Sequence, residues 1–154
     1  MRNLIFIYFL CIPFISNASL NKTYLICEKT KDFYIKEKEV LNENFLFIYF
    51  RTDKYELKKI IKHINRKKIN FSLEHFNTGK YIFKDQKIQL VDDLVFREKK
   101  LTSNLDRNTM ILQSILNEKI IFEYNCKISN LKKFTEKSKE IIIESTEFWK
   151  NKSK

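Results

Sequence analysis

The sequence predicts a mainly β domain, an antiparallel sandwich or small barrel, with a helix at its C-terminal end. Three observations predict it. Short runs rich in Phe, Ile, Tyr and Val recur along the chain, separated by polar turn clusters at intervals of about eight to twelve residues. In the run Ile120–Ile128, the residues Ile120, Phe122, Tyr124, Cys126 and Ile128 share one parity, while Glu123, Asn125 and Lys127 share the other. That is the period-2 alternation of a half-buried strand. Beyond Asn130 the apolar spacing lengthens to that of an amphipathic helix.

Ahead of the domain, Met1-Arg2-Asn3 leads into the apolar run Leu4–Ile15 and then into Ser16-Asn17-Ala18-Ser19. A short basic start, an apolar centre and a small-residue end make a secretory signal peptide, with cleavage expected after Ala18. The run is shorter than the ~20 residues of a spanning helix; an uncleaved N-terminal anchor is the alternative. Cys11 follows Phe9-Leu10 rather than small residues, so it is no acylation site and is expected to leave with the peptide. The expected division is residues 1–18 signal peptide, 19–129 β domain and 130–154 helical tail, in a periplasmic or secreted protein. Cys27 and Cys126 remain, an even number in an oxidising compartment, which predicts a disulfide between the first and last strands. Closing a loop of about 100 residues stabilises by ~4–5 kcal/mol at most in the chain-entropy description. Two buried free thiols are the alternative.

The elements follow in order. Thr23–Glu28 reads as a first strand and Phe33–Lys36 as a second. Phe45–Phe50 is aromatic and β-branched and apolar on both parities, a central strand covered on two sides. The segment 54–68 is ambiguous. Leu57, Ile60, Ile61 and Ile64 would line one face of a helix, with Lys58, Lys59, Lys62, Arg66 and Lys67 opposite, and periodicity favours that helix over a strand. From Ile69 short strands resume, with turns expected at Asn77-Thr78-Gly79, Lys84-Asp85-Gln86, Asp92-Asp93 and Asp106-Arg107-Asn108. Gly79, the chain's one glycine, is placed in a hairpin turn for its access to positive φ. Ser129 or Asn130 caps the terminal helix, in which Phe134, Ile141, Ile142, Phe148 and Trp149 fall near one side with Ser138 and Ser145 between them. Such a helix packs on the sheet or stands free.

The residue inventory for catalysis is thin. The two histidines, His63 and His75, have no partner at metal-ligand spacing, and Glu74 beside His75 would point to the opposite face of a strand. One glycine allows no phosphate-cradling loop, and no serine sits in a nucleophile elbow. No catalytic, cofactor or metal site is expected. Thirty Lys and Arg against nineteen Asp and Glu give a net charge of +11, but the chain is also rich in Asn, Ile and Phe, the signature of compositional drift as much as of polyanion binding. The one candidate binding surface is the cationic set Lys54, Lys58, Lys59, Lys62, Arg66, Lys67 and Lys68. It suits anionic lipid or a cell-wall polymer. A protein partner is open as well; export argues against nucleic acid.

Residues 24 to 128 resemble a loose group of small exported bacterial proteins of unknown function. Their pattern is an early cysteine strand, an Asp-Arg-x-Thr turn and a late Phe-to-Cys strand, here Tyr24–Glu28, Asp106-Arg107-Asn108-Thr109 and Phe122–Cys126. The resemblance implies an exported β-rich domain and brings no activity with it. The opening Tyr24-x-x-Cys27 and the Phe122-to-Cys126 ending are also similar to periplasmic inhibitors of c-type lysozyme, small β-barrels whose inhibitory Ser-Gly-x-x-Tyr loop is missing here. The function expected is that of an exported non-catalytic binding protein. Attachment to an anionic surface through residues 54–68 is one alternative, and a lysozyme-inhibitor-like role is another.

Overall fold

The computed structural model describes residues 20–32, 44–65, 68–96 and 99–152, and of 92–96 and 99–101 the backbone alone. The expected signal peptide and the expected strand Phe33–Lys36 lie outside the described residues.

Among the described residues eight strands run in sequence: β1 Thr23–Asp32, β2 Phe45–Phe50, β3 Lys54–Asn65, β4 Lys68–Lys84, β5 Lys87–Phe96, β6 Lys99–Asp106, β7 Ile111–Leu116 and β8 Lys119–Ser129. Each pairs antiparallel with the next, and β8 returns to β1, closing an up-and-down barrel. The fold is therefore a barrel and not a sandwich. Closure leaves no free sheet edge along the seam, where Cys27 and Cys126 stand directly opposite with Cα atoms 3.9 Å apart and form the disulfide. The expected bridge between first and last strands is present.

Alternation places Leu25, Cys27, Leu46, Ile48, Phe50, Tyr55, Ile88, Leu90, Leu105, Leu112, Tyr124 and Cys126 inside, in one buried cluster. The wall is narrow enough for side chains to fill it. A second cluster lies outside the wall, where Phe47, Ile60 and Phe71 meet Phe134 and Ile141 of α1, Leu131–Lys152. The Asn130 side-chain oxygen accepts from the Lys133 N–H at 2.9 Å and starts this helix. Ser138 and Ser145 are buried along its seam, small enough to let it approach the strands, and Phe134 sets its ring edge-on to Tyr24 and Phe47. The helix is docked. This explains the two-sided apolar character of β2: Leu46, Ile48 and Phe50 fill the barrel while Phe45 and Phe47 lie under α1.

Four expectations are corrected. Residues 54–65 are strand, not helix. Tyr55 and Leu57 face the interior and Ile60 faces α1, so both parities of β3 find apolar surroundings, and a doubly covered strand mimics helical spacing. Gly79 lies inside β4 rather than in a turn, with φ outside the positive region. It stands opposite Tyr55, and a Cβ there would meet the Tyr55 ring and hydroxyl at 2.8 Å and the Val91 carbonyl oxygen at 2.4 Å. Glycine is needed for close approach, not for dihedral freedom. Asp92-Asp93 falls within β5, where the pairing with β6 shifts between Val91 and Val95. Finally, β8 does not keep one parity. Ile121 is an extra residue opposite the Ser114–Ile115 step, so Ile121, Tyr124 and Cys126 are buried while Ile120 and Ile128 are exposed.

Candidate functional site

Among the described residues the interior is packed with buried, mainly apolar side chains, and the charged side chains lie outside it. Among the described residues, pairing between β2 and β3 stops at Phe47 and Lys58, and residues 59–65 pair with β4 as an arm that extends past it. Strand geometry then distributes the candidate cations. Lys54 and Lys62 are eight residues apart in the strand, ~26 Å at 3.3 Å per residue, so they belong to opposite ends of the barrel. Lys59 points to the face away from α1 and lies 4.0 Å over the ring of Phe76, the extra residue of a bulge in β4. Lys58 is partly buried beside Phe47, and Lys68 is exposed opposite Asn65 at the tip. Arg66 and Lys67 lie outside the described residues. The five described cations are therefore spread along the β3–β4 pair and over both of its faces.

Lys62 instead joins residues from the far end of the chain. Its ammonium lies 3.0 Å from the ring centre of Trp149, and that of Lys152 lies 5.4 Å from the same ring and 5.9 Å from Phe148. Phe148 packs edge-on to Trp149 and is 40% exposed; Ile64, at the arm's outer face, is 70% exposed. Two cations sharing one indole beside exposed apolar groups is a site that the sequence reading missed. Its signal was the Phe-Trp-Lys ending of α1, read only as an amphipathic face.

The other face of the arm gathers His63, Ser72 and Glu74. His63 Nε2 lies 3.0 Å from Ser72 Oγ and 2.6 Å from Glu74 Oε1, and the serine hydroxyl donates to that same carboxylate oxygen at 2.8 Å. The serine hydrogen bond, with His63 nearby, holds the Glu74 carboxyl below its usual range. A nucleophilic triad needs the carboxylate on one ring nitrogen and the serine on the other, with the serine proton directed to the imidazole. Here one nitrogen faces both groups and the serine proton goes to Glu74, so the cluster is a polar clasp between β3 and β4. His75 pairs with Thr78 at 2.5 Å. Among the described residues no group of three or more His, Cys, Asp or Glu could hold a metal ion.

At the opposite end, the turns 51–53, 85–86 and 107–109 form a rim with the entry to β1 and the exit from β8. Asp106 Oδ1 accepts from the N–H groups of Thr109 and Asn108, both at 2.9 Å, and these bonds hold its carboxyl below the usual range. Arg107 follows Asp106 in the same turn. Its N–H donates to the Gln86 carbonyl at 2.9 Å, tying two turns together, and its guanidinium lies 5.6 Å over Phe83. The Tyr81 hydroxyl reaches the carbonyls of Arg51 and Thr52 at 2.9 and 3.0 Å, and burial raises its pKa, with Asp53 adding to the shift. Beside it opens a shallow groove of about 590 Å³, lined by Thr52, Asp53, Lys80, Tyr81, Ile82 and Phe83.

No helix among the described residues is long and apolar enough to cross a membrane. No protein-family model, curated protein or solved structure matches the chain.

Proposed function

We propose that the chain is an exported, non-catalytic interaction protein that binds an anionic polymer where the β3–β4 arm meets the end of α1. The carrying observation is the convergence of the Lys62 and Lys152 ammonium groups on the Trp149 ring. Two ammonium groups gathered on one ring concentrate positive charge there, and an anion that meets both would offset their repulsion. The filled barrel supports an exterior site, since the largest interior side chains are almost wholly buried. Export is supported by the Cys27–Cys126 bridge, which belongs to an oxidising compartment.

The test is titration of the purified exported protein with polyphosphate at low and high salt. A Lys62→Glu/Lys152→Glu variant is compared with Lys127→Glu/Lys139→Glu, which has the same net charge but lies away from Trp149. Selective loss in the first pair is expected; equal loss in both would reduce the binding to net charge and end the proposal. Intact mass tests export separately: the protein should begin at Ser19 with both thiols blocked to alkylation until reduced.

A lysozyme-inhibitor-like role is a second reading, favoured by a closed barrel whose first and last strands are bridged. Unchanged lysis by a c-type lysozyme in the presence of excess protein would dispose of it.

A further inference from the structure

The opposite end of the barrel carries an independent combination of features. Its rim exposes large apolar side chains: Ile128 is 71% exposed, Leu131 58% and Ile82 48%, with Phe83 beside Arg107. Exposed cations stand among them, including Lys22, Lys84, Lys87, Lys132 and Lys133. The facing acids are fewer. Asp106 has its carboxylate occupied by two backbone N–H groups and faces Lys87 across the β5–β6 pair, Asp53 and Asp85 sit in the turns, and Glu136 lies 4.0 Å from Lys132 on the exposed face of α1. Lys84 and Lys87 are direct cross-strand partners at the tip of the β4–β5 hairpin. Like charges placed opposite each other destabilise a strand pair; Asp106 across from Lys87 on β6 offsets part of that cost, and an external anion would offset more of it.

The chain also enters the described fold here. Leu20 packs against the interior cluster, the Lys22 N–H donates to the Phe50 carbonyl at 2.8 Å, and the apolar run Leu4–Ile15 ends just upstream in sequence. An anchor retained in that run would hold this end of the barrel within a few residues of the bilayer.

We infer that this rim is a docking surface for an anionic lipid bilayer, with Phe83, Ile82, Ile128 and Leu131 at the depth of the headgroups and the lysines on lipid phosphates. Aromatic and aliphatic side chains ringed by cations suit such an interface. The arm then projects away from the membrane. The rim acts without Lys62, Trp149 or Lys152, so its failure and that of the arm site are separable.

The chain's one tryptophan makes the orientation measurable. Trp149 lies eighteen residues beyond Leu131 in α1, ~27 Å at 1.5 Å per residue, away from the rim. The exported protein is mixed with vesicles of phosphatidylcholine alone, or of phosphatidylcholine with phosphatidylglycerol, each carrying a bromine-labelled acyl chain as quencher. Binding to the anionic vesicles is expected, weakening with salt, with Trp149 fluorescence unquenched. A Trp149→Phe/Phe83→Trp protein should be quenched on the same vesicles, and Trp149→Phe/Ile82→Trp serves if the Phe83 site does not accept the larger ring. Each surface cation contributes roughly five-fold to partitioning, so Lys84→Glu/Lys87→Glu should lower it by at least about 25-fold. Absence of binding to the anionic vesicles, undiminished binding by the reversed-charge variant, or quenching of Trp149 rather than of the rim reporter would each overturn the inference.

Discussion

Gly79→Ala tests how the barrel wall closes around Tyr55. The added Cβ would lie 2.4 Å from the Val91 carbonyl oxygen and 2.8 Å from the Tyr55 ring and hydroxyl, where ordinary contact begins at 3.4 Å. Val91 belongs to the backbone of β5 and pairs with Lys80, the next residue along β4, so relief requires the two strands to part by about 1 Å at the first rung of their ladder. Tyr55 is fully buried and cannot swing aside into solvent. Overpacking of this kind costs about 1–3 kcal/mol, and a backbone clash belongs at the upper end. The smaller unfolded-state entropy of alanine returns about 0.4–1 kcal/mol. A net loss of about 2 kcal/mol, set against an unfolding entropy of ~2.1 cal/mol/K per residue, lowers Tm by about 7 °C for a domain of this size. Differential scanning calorimetry measures it. Gly79→Asn discriminates further: a turn glycine at positive φ tolerates asparagine, whereas a glycine beneath a ring and a carbonyl does not. A Gly79→Ala protein melting within about 1 °C of the parent, or an asparagine variant more stable than the alanine one, would refute the close-approach account.

Three other outcomes follow from the same structure. Replacing Cys27 and Cys126 together by alanine should cost about 2–5 kcal/mol, read as a lowered urea midpoint; an unchanged midpoint would mean that the seam holds without its bridge. Ser145 is 1% exposed and its hydroxyl has no hydrogen-bond partner, so Ser145→Ala should be neutral or stabilising by about 1 kcal/mol, while Ser145→Leu should cost about 1–3 kcal/mol by lifting α1 off β4, both measured by chemical denaturation. Glu123, held below the usual carboxylate range by Lys31, Gln113 and Thr30, joins Asp106 and Glu74 in having a lowered native pKa. In each case the unfolded chain takes up the proton first. Their contribution is therefore complete above the ordinary carboxylate pKa and is lost as pH falls through the lowered values. Denaturation at a series of pH values from neutral into the acid range should show stability falling below about pH 4.5. Glu123→Gln should flatten that slope, and an unaltered slope would remove Glu123 from the account.

Features encoded in one residue's own preferences were legible in the chain. Asp85 takes positive φ at a turn, and Asp106 bonds the N–H groups that follow it; both were placed correctly from residue type. The cysteine pair was legible from parity and count. Features decided between strands were not. The extra residues at Phe76 and Ile121 exist because neighbouring strands curve differently, and no local preference of phenylalanine or isoleucine announces that. The two-residue turn Asn117-Glu118, with φ of 50° and 64°, sets a glutamate where asparagine or glycine is usual. The helical reading of 54–65 failed because α1 covers the outer face of β3, a fact carried by residues 134–149. The same distance in sequence hid the Lys62–Trp149 contact: the lysine was visible as a charge, while its ring partner sat in another element.

The seam between β1 and β8 also sets the timetable of folding. Every other strand pairs with its sequence neighbour, so the meander can zip hairpin by hairpin as it emerges; only closure joins residues far apart. Cys27 is made 99 residues before Cys126, an interval of roughly 5–20 s at synthesis rates of 5–20 residues per second. Throughout that interval the first strand has one edge without a partner and a thiol without a mate. The hairpins therefore form in turn and the barrel closes last, and oxidation afterwards makes that final step the hardest to reverse.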